Sequence, residues 1–196
     1  MKNLFISFVL IVFCSCYVSV FAQDSKEDMA AAQKVMMEYM TPGVYHEKMA
    51  KSVGDWTAKT QFWMAPNSEP MVSEGNVKAE MILGGRYLQM KFTGNMMGMP
   101  YEGISTDGYD NGKKIYFNTY LDNMGTGIMY SEGKYDDKSK LLVYTGKMFD
   151  PSQGKDVPFR ETIQMLDDTH MNMEMFYPNP KDGKEFRAMR IEYVKK

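Results

Sequence analysis

From Trp56 to the C terminus the chain is written in short segments in which apolar and polar residues trade places at every second position. That is the period of a half-buried strand. Before Trp56 the rhythm is different. Met29, Ala32, Met36 and Met40 recur at helical intervals, Ala30 to Ala32 are strong helix formers, and Ser25 with Asp28 has the spacing of a capping box. A helix is therefore predicted over residues 24–40, with its stripe laid on something apolar. Thr41-Pro42-Gly43 stops it, and a shorter helix is expected over 45–52. Ten strands follow, predicted at 55–64, 72–82, 86–94, 100–109, 113–121, 126–135, 140–149, 157–166, 169–177 and 185–194. Between them stand residues that make turns for a physical reason. Asp110-Asn111-Gly112, Asp136 to Ser139, Asp150 to Gly154, Asp167-Asp168 and Asn179 to Gly183 supply side-chain acceptors for turn N–H groups or tolerate left-handed backbone.

Evenly spaced strands joined by short hairpins make an antiparallel up-and-down meander, and closing it into a barrel removes both exposed edges. A two-sheet sandwich is the alternative. The reading is thus all-β: a roughly ten-stranded barrel over residues 54–196, preceded by one or two short helices in residues 23–53. On the first strand Trp56, Ala58, Thr60, Phe62 and Met64 share a face, which places Trp56 inward as a structural plug of the barrel floor. Arg86 has the parity of Leu88, Met90 and Phe92, so an inward face would carry its guanidinium with it. A buried guanidinium needs a carboxylate, an aromatic face or an anionic ligand group. Arg160, in parity with Thr162 and Gln164, poses the same question and has outward placement as its simpler answer. Arg86, Arg160, Phe92 and Met173 form the candidate ligand-binding set.

Gly54-Asp55-Trp56, opening a strand directly after a short helix, is similar to the start of lipocalin and other calycin barrels. A wider set of residues carries a more specific likeness: Pro42, His46, Met49, Gly54 and Trp56, then Leu83-Gly84-Gly85-Arg86-Tyr87-Leu88, then Gly108-Tyr109-Asp110. In that order they resemble the bacterial secreted family known as domain of unknown function 1579, usually placed among the calycins, over Pro42 to Tyr193. The resemblance implies a barrel of about ten strands with an internal cavity. It implies no activity and supplies no catalytic residues. By the lipocalin pattern a basic side chain near the last strand would cover the motif tryptophan, and Arg187 or Arg190 is in range for that role.

The N-terminal segment changes where the barrel is expected to work. Lys2, the apolar run Leu4 to Cys14 and the small-x-Ala site Val20-Phe21-Ala22 read as a signal peptide over residues 1–22, with cleavage before Gln23 and export to the periplasm or beyond. A membrane anchor, or lipidation at Cys16, are the competing readings of the same segment. Both cysteines lie within it, so the remainder relies on packing and not on disulfides. No stretch after Ala22 is long and apolar enough to span a bilayer as a helix.

Charge and motif content remove whole classes of function. With 23 Lys and Arg against 25 Asp and Glu, the chain lacks the cationic excess of a nucleic-acid binder. There is no phosphate loop and no Cys or His cluster for zinc, so neither cofactor nor metal is expected. The 21 methionines, with Met171, Met173 and Met175 alternating after His170, could take Cu(I), but their scatter through every element fits packing better. Glu102, Asp107 and Glu161 fall on strands, where acid–base pairing depends on geometry that sequence does not give. The expected function is binding of a small, largely apolar molecule inside the barrel, with an acidic group on it as an option that the candidate arginines would serve. The alternatives are an envelope interaction module with a side-chain-filled interior, and an enzyme built in the barrel mouth.

Overall fold

The computed structural model describes residues 26–196, so the proposed leader, both cysteines and Ser25 lie outside the described residues. Residues 26–40 form a helix, α1, whose last turn is closed by Thr41 Oγ1 donating to the Met37 carbonyl at 2.6 Å. Its Met29, Met36 and Met40 stripe is exposed. A second unit begins at Pro42 and holds everything that follows.

That unit opens with α2 (Val44–Ala50) and continues through ten strands. They are β1 (Gly54–Phe62), β2 (Met71–Ile82), β3 (Tyr87–Met96), β4 (Met99–Asp110), β5 (Ile115–Asp122), β6 (Met129–Asp136), β7 (Leu141–Asp150), β8 (Lys155–Met165), β9 (His170–Pro178) and β10 (Glu185–Lys195). Each pairs antiparallel with its neighbour in sequence, and β1 pairs with β10 to close the barrel. The predicted strands agree to within a few residues at either end. The turns use the expected chemistry: Asp110 Oδ1 accepts from the Gly112 and Lys113 N–H groups at 2.8 and 3.0 Å between β4 and β5.

Register fixes what faces inward. Trp56, Ala58, Thr60 and Phe62 on β1 stand opposite Lys195, Tyr193, Ile191 and Met189 on β10. Val77 and Ala79 on β2 continue the layer to Phe92 and Met90 on β3. Next come Ser105, Asp107 and Tyr109 on β4, facing Tyr120, Asn118 and Tyr116 on β5. Tyr144 on β7 lies against Gly133 on β6 and Glu161 on β8. Met171, Met173 and Met175 on β9 complete the ring. Phe117 belongs to the other face, with its ring edge-on to Tyr87 at 6.1 Å, so it is not part of the interior.

One end of the barrel is covered by α2. Tyr45 stacks on Tyr109 with centroids 4.1 Å apart and meets Tyr116 edge-on at 5.9 Å. His46 is buried beside them, and its Nδ1 accepts the Gly43 N–H at 3.0 Å, tying the start of α2 to its own first turn. Burial lowers the His46 pKa, against an upward pull from backbone hydrogen bonds at Tyr109 and Gly43.

The same end explains the Gly-x-Trp motif. Trp56 is fully buried, its Nε1 donates to the Ser52 carbonyl at 2.9 Å, and the Lys195 ammonium lies 5.3 Å from its ring centroid. Gly54 has φ +139°, a backbone conformation that favours glycine, and a Cβ there would fall 2.6 Å from Lys195 Cε and push the lysine side chain aside. The basic partner of the motif tryptophan is therefore Lys195. Arg187 covers Trp63 instead, at 4.6 Å, and pairs with Glu174, whereas Arg190 pairs with Glu192.

Candidate functional site

The interior changes character away from α2. Near the helix, Trp56, Val77, Ala79, Leu88, Tyr109, Tyr116, Tyr144 and Tyr193 are buried. Farther along, Phe92, Tyr101, Tyr120, Glu161, Met173, Tyr177 and Met189 point into the same interior yet stay partly accessible, with Phe159 and Met175 buried among them. A close-packed core would leave such side chains no residual surface. The barrel is plugged at the α2 end, and its inward-facing side chains grow more accessible toward the other.

Asp107 and Glu161 put carboxyls on the inward face of the barrel. Asp107 on β4 is 7% exposed and well served: the Tyr144 hydroxyl donates to its Oδ1 at 3.0 Å, and the Asn118 and Ser105 side chains also bond to it. Burial pushes its pKa up to about 6 against these three donors, which pull it down. Glu161 on β8 lies between Tyr144 and Met175 in register. Burial, reinforced by the Asp107 charge, pushes it up to about 8, and no hydrogen bond or cation among the described residues offsets this. The pair therefore loses its first proton at Asp107, where donors wait for the negative charge, and keeps the second on Glu161.

Around the carboxyls stands a wall of hydroxyls and thioethers. The Tyr177 hydroxyl lies 2.8 Å from Met148 Sδ and 3.0 Å from Met175 Sδ. Burial and nearby carboxylate charge push Tyr144, Tyr177 and Tyr193 well above the usual phenol range, so all three remain neutral. Phe92 and Tyr120 meet edge-on at 5.9 Å. The arrangement can hold an apolar body against rings and sulfur while offering carboxyl and hydroxyl oxygens to a polar group.

Of the sequence-derived candidates, Phe92 and Met173 are in this lumen and Trp56 is beneath it. Arg86 is not beside them. Strand β3 begins one residue later, and Arg86 is exposed in the Leu83–Gly85 turn, its Nη1 donating to the Leu83 carbonyl at 3.2 Å. Arg160 stands on the outer face, forked onto Glu185 at 2.7–3.2 Å with its guanidinium 4.0 Å from the Phe176 centroid. Asp107 and Glu161 were visible in sequence as strand carboxylates, but which face of each strand is inward was not; Glu102 lies on the opposite face of β4 and is exposed. Among the described residues no three His, Cys, Asp or Glu side chains gather as a metal site. No described helix is long and apolar enough to cross a membrane.

No curated protein matches the chain. Among solved structures it is similar to Rv2717c from M. tuberculosis, with a TM-score of 0.59 and 10% identity, covering 80% of this chain and 99% of that one. It is also similar to the S-type phycobiliprotein lyase CPES from Guillardia theta, with a TM-score of 0.54 and 9% identity, covering 82% of this chain and 96% of that one. At such identities the likeness is one of fold, that of a calycin-like barrel. Residues 41–195 match a family profile described as protein of unknown function (DUF1579), and the chain belongs to that family.

Proposed function

We propose that this protein binds one small, largely apolar molecule inside its barrel, entering from the end opposite α2, after export directed by residues 1–22. One observation carries the reading: Phe92, Tyr120, Met173, Tyr177 and Met189 face a closed interior and still keep accessible surface, above a floor sealed by Trp56. A barrel of about this strand number is wide enough for either side chains or one small ligand. Incomplete burial of the lining favours the ligand. Neither arginine offered for an acidic guest lines the lumen, so an acidic group drops out of the proposal.

Native mass spectrometry of the protein purified from its own host tests this, together with thermal unfolding in the presence of apolar small molecules. The expected result is a one-to-one adduct that dissociates on activation, and a rise in Tm with compounds that fit. Repeated recovery without an adduct, and no compound that raises Tm, would favour a barrel filled by its own side chains.

A further inference from the structure

The chemistry of the lumen narrows the guest further. Resting on the reading that the lumen takes a small molecule, we propose that this molecule carries a cationic, hydrogen-bond-donating nitrogen, an amine or amidine, seated against the Glu161 carboxylate.

The geometry points there by contrast between two acids in one enclosure. Asp107 is satisfied by Tyr144, Asn118 and Ser105. Glu161 shares the inward face with Tyr144 and Met175 by register, is only partly accessible, and receives no donor or counter-charge from the described residues. A buried acid left without a partner costs stability, and a partner brought by a guest removes that cost. Tyr144 on β7 and Met175 on β9 flank Glu161 in register, and the titratable groups close enough to feel its charge are Asp107 from β4, Tyr144 from β7, Tyr177 from β9 and Tyr193 from β10. All are acids or neutral hydroxyls. A carboxylate guest would meet the repulsion of two acids in this set, whereas an ammonium would be attracted by the Glu161 carboxylate and by the nearby charge of Asp107. Methionine sulfur and aromatic faces on the same wall suit the apolar part of an amine and the flank of its charge.

The exchange balances in protons. At neutral pH the empty barrel holds Glu161 protonated, because its pKa is pushed up to about 8. When the ammonium seats, the carboxyl gives that proton to solvent, and the new ion pair takes its place. Amine affinity should therefore rise as pH approaches the Glu161 pKa, with one proton released per amine bound below it.

Calorimetric titration of the mature chain with naphthylmethylamine, naphthylmethanol and naphthoate separates the possibilities, run at neutral pH in two buffers of different ionisation heat. The amine should bind roughly ten- to a hundredfold tighter than the alcohol, as for a charge-assisted hydrogen bond. The naphthoate should bind weakest, and the buffer dependence should report proton release. In Glu161→Gln the ratio of amine to alcohol affinity should collapse toward one and proton release should vanish. If that variant does not fold, the wild-type ratio and proton count decide alone. Equal binding of amine and alcohol, or preference for naphthoate, would overturn the cationic guest while leaving a ligand-binding lumen. Binding of none of the three would overturn both.

Discussion

Glu161→Gln is also a stability experiment on the empty barrel, and its sign and size follow from the lumen. The Glu161 carboxyl moves from 4.5 to about 8 on folding, chiefly through burial. Between those values the folded chain holds a proton that the unfolded chain has lost, so stability is full at low pH and falls as pH rises through the window. At about 1.4 kcal/mol per pH unit, the loss is about 3 kcal/mol at neutral pH and about 5 kcal/mol once both states are ionised. Asp107, raised from 3.8 to about 6, adds a smaller loss of the same sign at lower pH. His46 works the other way, because its lowered pKa costs stability only as pH falls below 6.5. Glutamine copies the shape of the protonated acid and cannot ionise. The variant should match wild type near pH 4 and exceed it by a few kcal/mol above neutrality, read from urea midpoints across the pH range. Wild-type and variant curves that run parallel from acid to alkali would refute the placement of an unpaired acid in the lumen.

Four further outcomes follow from the same structure. Trp56→Ala should lose roughly 3–5 kcal/mol, because it empties the fully buried floor and leaves the Ser52 carbonyl without its indole donor, measured by denaturant unfolding. Gly133→Ala should cost about 1–3 kcal/mol of overpacking, since its Cβ would stand 2.6 Å from both Tyr144 Cδ1 and the Val143 carbonyl. Tyr144→Phe removes one of the donors to Asp107, so it should destabilise by roughly 1–2 kcal/mol and move the Asp107 pKa further up, a shift visible by carboxyl NMR. Intact mass of protein secreted by its host should correspond to a chain beginning at Gln23, and a lipid-modified Cys16 would contradict that.

The barrel was legible because period-two alternation and turn chemistry act locally, and Trp56, Met90 and Phe92 could be oriented by parity within their own strands. What parity could not supply was the starting point of each strand. Arg86 lies one residue before β3, in the turn that Leu83 and two glycines bend, so the inward face of Leu88 to Phe92 says nothing about it. Lys195 was equally hidden: its role depends on β1 and β10 closing the barrel and on a glycine at Gly54 giving way to its side chain. The lumen acids show the same limit. Asp107 and Glu161 come from strands that are not adjacent in the sheet, and only closure of the barrel places them in one enclosure. On β5 it is Tyr116 and Asn118, and not the more apolar Phe117 between them, that face inward.

The most direct test of a guest-binding lumen is an NMR titration of methyl-labelled methionines with naphthylmethylamine. Met173, Met175 and Met189, which face the interior, should shift in step with saturation, while Met64, Met97 and Met99, which are exposed, should not. Shifts confined to the exposed methionines, or no saturable shift in the interior set, would contradict it.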